Sequence, residues 1–126
     1  MFQIVDRGAF EPQPKARWSD PDLWKVVTPP VVAIGDEEIA PATGFVTDGA
    51  SIPWWARWKI DPWGRNGVPA VIHDWLLANP GGRAKWEIDL IFFGLLKASG
   101  SPDLEATLMF LAVRTRPLKR TARGGA

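Results

Sequence analysis

His73 is the only histidine of the chain and stands in the stretch "AVIHDWLL", directly before Asp74. An imidazole beside carboxylates becomes a general base when one acid orients it and a hydroxyl lies within reach. Hydroxyls and a further acid occur in "GFVTDGASIPWWARW", as Thr47, Asp48 and Ser51. Another acid, Asp89, lies in "RAKWEIDLIFFGLL". On a helix its same-face neighbours are Lys85, Trp86, Phe92 and Phe93, three of them aromatic. Asp89 is therefore expected to point into an apolar face. A buried carboxylate needs a partner, because desolvating it unpaired is costly. The candidates are His73, N–H groups of the Thr47–Ser51 turn, Arg57, Arg83 or a metal ion.

Three chemistries fit these residues. In the first, Thr47, Asp48, Ser51, His73, Asp74 and Asp89 form a satisfied polar network that pins helices to a sheet. In the second, a hydrolase, Ser51 or Thr47 is the nucleophile, His73 the base, and Asp89 or Asp74 its orienter. The chain has no G-x-S-x-G elbow to support that reading. In the third, His73 and two of Asp48, Asp74 and Asp89 hold a divalent metal. Catalytic zinc sites usually bring more than one His, so no metal and no cofactor is expected. The structural network leads. An enzyme with Ser51, His73 and Asp89 as catalytic candidates stands behind it.

These residues need positioning elements. "LWKVVTP", "VVAIGDEEIAP" and "GFVTD" read as strands, with Gly35-Asp36 as a hairpin turn. "PWWARWKI", "VPAVIHDWLLAN", "RAKWEIDLIFFGLLKAS" and "SPDLEATLMFLAVRTR" read as helices, the last with Ser101 as N-cap and Pro102 at its first position. The expectation is an α+β fold, a small antiparallel sheet from the N-terminal half carrying three to four helices from the C-terminal half. Residues 1–22 read as an extended Pro-rich arm with a short strand at Gln3–Val5. Residues 23–113 form one domain, and 114–126 a basic tail.

Composition narrows the function classes. The chain of 126 residues suits one domain. With no cysteine, it can use neither thiol catalysis nor thiolate-bound zinc. No apolar run approaches the roughly 20 residues of a membrane helix, so no span is expected. Eight Trp accompany no Tyr. Exposed Trp54, Trp55, Trp58 or Trp63 could stack on sugar or base, which makes a binding module another alternative. The five charges beyond Glu105 are all basic: Arg114, Arg116, Lys119, Arg120 and Arg123. Such a tail is an expected contact for nucleic acid or an acidic protein face.

Taken together, "GFVTDGASIP", "AVIHDWLL" and "RAKWEIDLIFFGLL" resemble the successive blocks of a small domain-of-unknown-function family of tailed phages and prophages. That family has a Thr-Asp-x-Ala-Ser-x-Pro turn, a His-Asp-x-Leu-Tyr helix and an Ala-Asp-x-x-Phe helix. The likeness runs from Leu23 to Met109. Leu77 replaces the family's Tyr, Trp54 a basic residue, and Ile88 an Ala. The resemblance implies a virion, tail or lysis context without a defined reaction. The expected role is that of a virion protein at the tail or baseplate, docking on other phage structural proteins after assembly in the host cytoplasm.

Overall fold

A computed structural model describes residues 1–20, 23–47 and 66–115. Six strands precede three helices: β1 Phe2–Asp6, β2 Ala9–Pro12, β3 Trp24–Thr28, β4 Val31–Ile34, β5 Glu37–Ile39, β6 Val46–Thr47, α1 Gly67–Ala78, α2 Lys85–Ala98 and α3 Asp103–Thr115. The fold is α+β, as the order of periods implies. The strands are divided between two antiparallel sheets, β1-β4-β5 and β2-β3-β6, where one sheet was expected.

The division has a local cause. Phe2 faces Ile34 and Ile4 faces Val32 in the first sheet, while Phe10 faces Val26 and Pro12 faces Trp24 in the second. The β1–β2 limb and the β3–β4 limb are thus one long antiparallel ribbon, broken in the middle. At the break, Gly8 takes φ +70 and donates its N–H to Asp6 Oδ1 at 2.8 Å. A Cβ there would run into the Thr28 carbonyl and Pro30. Pro29 and Pro30 face it from the other limb, and prolines have no N–H to continue a ladder. Residues 2–12 are therefore strands of both sheets, more than the short segment expected of an arm. Gly35, at φ +60, makes the two-residue turn between β4 and β5 where the sequence places it.

Helix α1 is the hub. Residues 67–73 are all buried, since the run Gly-Val-Pro-Ala-Val-Ile-His is apolar on every side before His73. Ala70 packs with Phe92, Leu96, Ala106, Met109 and Val113 of α2 and α3. Val68, Ile72 and Leu76 pack with Val32, Ile39, Ile88 and Leu95 under the first sheet. Val71 packs with Phe10 and Val26 of the second. Gly94 lets the Phe2 ring of β1 approach α2 more closely than a Cβ would permit.

Helix α2 begins with Glu87 accepting the Ala84 N–H at 2.8 Å, half of a capping box. It ends in a Schellman motif: Gly100 is at φ +98, and Ser101 and Gly100 donate to the Leu96 and Lys97 carbonyls. Helix α3 starts at Asp103, one residue later than expected, and the hydroxyl of Ser101 donates to Asn66 Oδ1. The expected helix over 53–60 lies outside the described residues.

Candidate functional site

Asp89 is fully buried on the inner face of α2. His73 lies opposite on α1, 3% exposed, with Nε2 2.6 Å from Asp89 Oδ1. The second oxygen, Oδ2, accepts Lys85 Nζ at 2.7 Å and Arg114 Nη1 at 2.9 Å. Lys85 also donates to the Val113 carbonyl at 2.7 Å, in the last turn of α3. One carboxylate thus joins α1, α2 and α3. Burial pushes the Asp89 carboxyl up, but hydrogen bonds from His73, Lys85 and Arg114 outweigh it and lower its pKa from the ordinary 3.8 to about 2. Because the ionised group only accepts, His73 Nε2 carries a proton and donates it. The imidazole also lies against the Phe92 ring, centroids 4.9 Å apart.

Two further polar ties radiate from α1. Thr47, at the end of β6, donates its hydroxyl to Asp74 Oδ2, fastening the second sheet to the helix. Buried Asn66, just before α1, receives the Ser101 hydroxyl and donates to Glu105 Oε2 at 2.6 Å. His73 and Asp74 are adjacent in sequence, so they project about 100° apart on the helix. One serves the helix bundle and the other the sheet.

The structure therefore unites His73 with Asp89 and Thr47 with Asp74. Asp48 and Ser51 lie outside the described residues, as do Arg57, Trp54, Trp55, Trp58, Trp63, Arg116, Lys119 and Arg120. Two expectations change. Arg83 is directed to Glu37 Oε2 at 2.5 Å rather than to Asp89. Arg114, read from sequence as the first charge of a tail, is the last-turn arginine of α3 and donates to Asp89. Lys85 was recognisable as an i−4 neighbour of Asp89. Arg114 and Asn66 carry no local signal, because their partners are 25 and 39 residues away in the chain.

The geometry suits holding more than turnover. His73 has the bond length of an oriented base, but Nε2 is engaged and almost no ring surface meets water. A metal ion at Asp89 would face the Lys85 ammonium and the Arg114 guanidinium on the same oxygen. Among the described residues no group of three metal-ligating side chains converges. A cleft at residues 12–24 includes none of these groups.

No helix among the described residues is long and apolar enough to cross a membrane. Comparison with curated proteins and with solved structures gives no match. A family profile described as a protein of unknown function matches residues 24–113, which carry Thr47, His73, Asp74, Lys85 and Asp89. On that match, the chain belongs to the DUF1353 family.

Proposed function

We propose that this chain is a structural protein of a tailed phage, docking on other phage proteins at the tail or baseplate. In this reading it is assembled in the host cytoplasm and stays in the virion. The phage context rests on the resemblance of the three sequence blocks. The docking role rests on one observation, the outer stripe of α3. Leu104, Leu108 and Leu111 recur at i, i+4 and i+7 and are 71%, 43% and 49% exposed. The other side of the helix is filled by Ala106, Met109 and Val113. An apolar helix stripe left in water is a site for a partner's surface. Arg116, Lys119 and Arg120 are a second contact in this reading, with an acidic protein face or nucleic acid.

Immunoblotting of purified particles tests it. The wild-type chain is expected in the particle, and Leu104→Glu with Leu108→Glu is expected to fold yet to be absent from it. Equal incorporation of both, or absence of the wild type, refutes the proposal. The His73–Asp89 bond favours one other reading, a cell-wall hydrolase. Release of fragments from purified cell walls, abolished by His73→Gln, would install that reading instead.

A further inference from the structure

The tip of the β-ribbon is built to display an aromatic ring. The ladder ends where Gln13 N–H donates to the Leu23 carbonyl at 2.9 Å. Beyond it the loop is folded on itself. Lys15 Nζ donates to the Trp18 carbonyl at 3.3 Å, and Arg17 N–H to Asp20 Oδ2 at 3.0 Å. Arg17 Nε lies 3.5 Å from Asp20 Oδ1, and Asp20 N–H donates back to the Arg17 carbonyl at 3.0 Å. These bonds hold Trp18 with 90% of its surface in water. An indole held out of every core leaves its ring open to stacking. Beside it opens a cleft of about 450 Å³, lined by Gln13, Lys15, Arg17, Leu23 and Trp24 as well as Trp18.

We infer that this cleft binds a carbohydrate, with a sugar ring stacked on the Trp18 indole. A pyranose presents a flat face of C–H groups, which packs on an indole by dispersion. Its edge carries hydroxyls that both donate and accept. The rim offers both kinds of partner: ammonium and guanidinium N–H groups from Lys15 and Arg17, and the amide of Gln13, whose oxygen accepts while its Nε2 also donates to the Glu11 carbonyl at 3.2 Å. The charge balance argues against a polyanion. Residues 11–25 contain three acids and three bases. Arg17 already faces Asp20, and Lys25 Nζ lies 3.6 Å from Glu11. Nucleic-acid binding draws its affinity from an excess of cations, and a segment with as many acids as bases carries none. The cleft shares no residue with the Asp89 cluster, and the family match begins only at Trp24, so most of the rim lies outside it. The inference is independent of the particle-docking role.

The test uses the full chain, isotope-labelled so that each indole N–H gives its own signal. The Trp18 signal is the one missing from Trp18→Phe. It is titrated in turn with maltohexaose, chitohexaose and a thymidine oligonucleotide. We expect the Trp18 signal to move saturably with a hexasaccharide, and Gln13→Ala to weaken that binding. Trp18→Ala should reduce the affinity about tenfold, the upper range for losing an aromatic stack. Trp18 is at the surface, so the thermal unfolding of Trp18→Ala should remain that of the wild type. A Trp18 signal that stays fixed with both sugars, or that responds to the oligonucleotide alone, overturns the inference.

Discussion

The Asp89 cluster and the Trp18 loop use the same bonds to opposite ends. Around Asp89, three donors from three helices converge on one carboxylate, and almost nothing is left for a ligand. Around Trp18, backbone bonds and one ion pair shape a loop whose side chains still face water. The first is an interior joint and the second an exterior surface. Hydrogen bonding alone therefore does not mark a functional site in this molecule. What separates the two regions is whether the bonded groups retain access to solvent. By that criterion, the ribbon tip and the outer stripe of α3 are the surfaces we propose for contacts with other molecules, while the His73–Asp89 pair is closed to them.

The sharpest way to break this contrast is to remove the joint. Asp89→Ala leaves a His73 N–H, the Lys85 ammonium and an Arg114 N–H without their common acceptor. Removing one partner of a buried ion pair costs about 3–5 kcal/mol. Urea unfolding should show a loss of that size, enough to unfold a marginal domain. A loss below about 1 kcal/mol would mean that Asp89 is not a joint.

Acid acts on the same joint more gently. Asp89 has its pKa lowered from 3.8 to about 2, so its ionised form favours the folded state. That contribution is complete above the unfolded value and is lost as pH falls through the folded one. At ~1.4 kcal/mol per pH unit it amounts to roughly 2.5 kcal/mol. Asp89→Asn does not titrate there, so the stability gap between it and the wild type should be constant above about pH 4.5 and should close towards pH 2. A gap that persists to pH 2 would assign the effect to shape alone.

Asn66 is the second interior tie, joining the start of α1 to Ser101 and Glu105. Asn66→Ala removes its bonds to the buried Ser101 hydroxyl and to Glu105 and should cost about 1–2 kcal/mol. Denaturant midpoints of Asn66→Ala and Asn66→Asp would separate the lost bonds from the repulsion that a second carboxylate adds beside Glu105. An unchanged midpoint in Asn66→Ala would remove Asn66 from the set of ties.

Much of this contrast was legible in the sequence, and the remainder has identifiable physical reasons. The aromatic stripe around Asp89 announces a buried carboxylate, and His73 is one of the several partners that the sequence offers. The three described helices follow from period and from Gly100, and the β4–β5 hairpin from the Gly35 turn. The two sheets were hidden because a ribbon looks the same in sequence whether or not it breaks. The clue was Asp6-Arg7-Gly8 opposite Pro29-Pro30, which only pairing brings together. Arg114 looked like a tail residue because the acids run out after Glu105, although the helix continues to Thr115. Ser101 has the composition of a cap, and its bond to Asn66, 35 residues away in the chain, carries no local signal. The sequence points to Trp54, Trp55, Trp58 or Trp63 as stacking surfaces, all outside the described residues. Trp18 stands alone, and a single residue between prolines and charges carries no pattern.

The smallest expected effect is the most discriminating for the exterior surface. Trp18→Ala removes the largest side-chain type in the chain, which in a core would cost about 3–5 kcal/mol. At 90% exposure almost none of that area is buried on folding, so the transfer term nearly vanishes. The loop bonds use the Trp18 carbonyl and the groups of Lys15, Arg17 and Asp20, none of which the substitution removes. The effect on stability should therefore stay within about 0.5 kcal/mol. Chemical denaturation of Trp18→Ala beside Trp24→Ala measures it, because Trp24 is half-buried against Phe10, Val26 and Val71 and should cost clearly more. Equal losses from the two would show that Trp18 is packed in solution, and the interior and exterior roles assigned to the two regions would then merge.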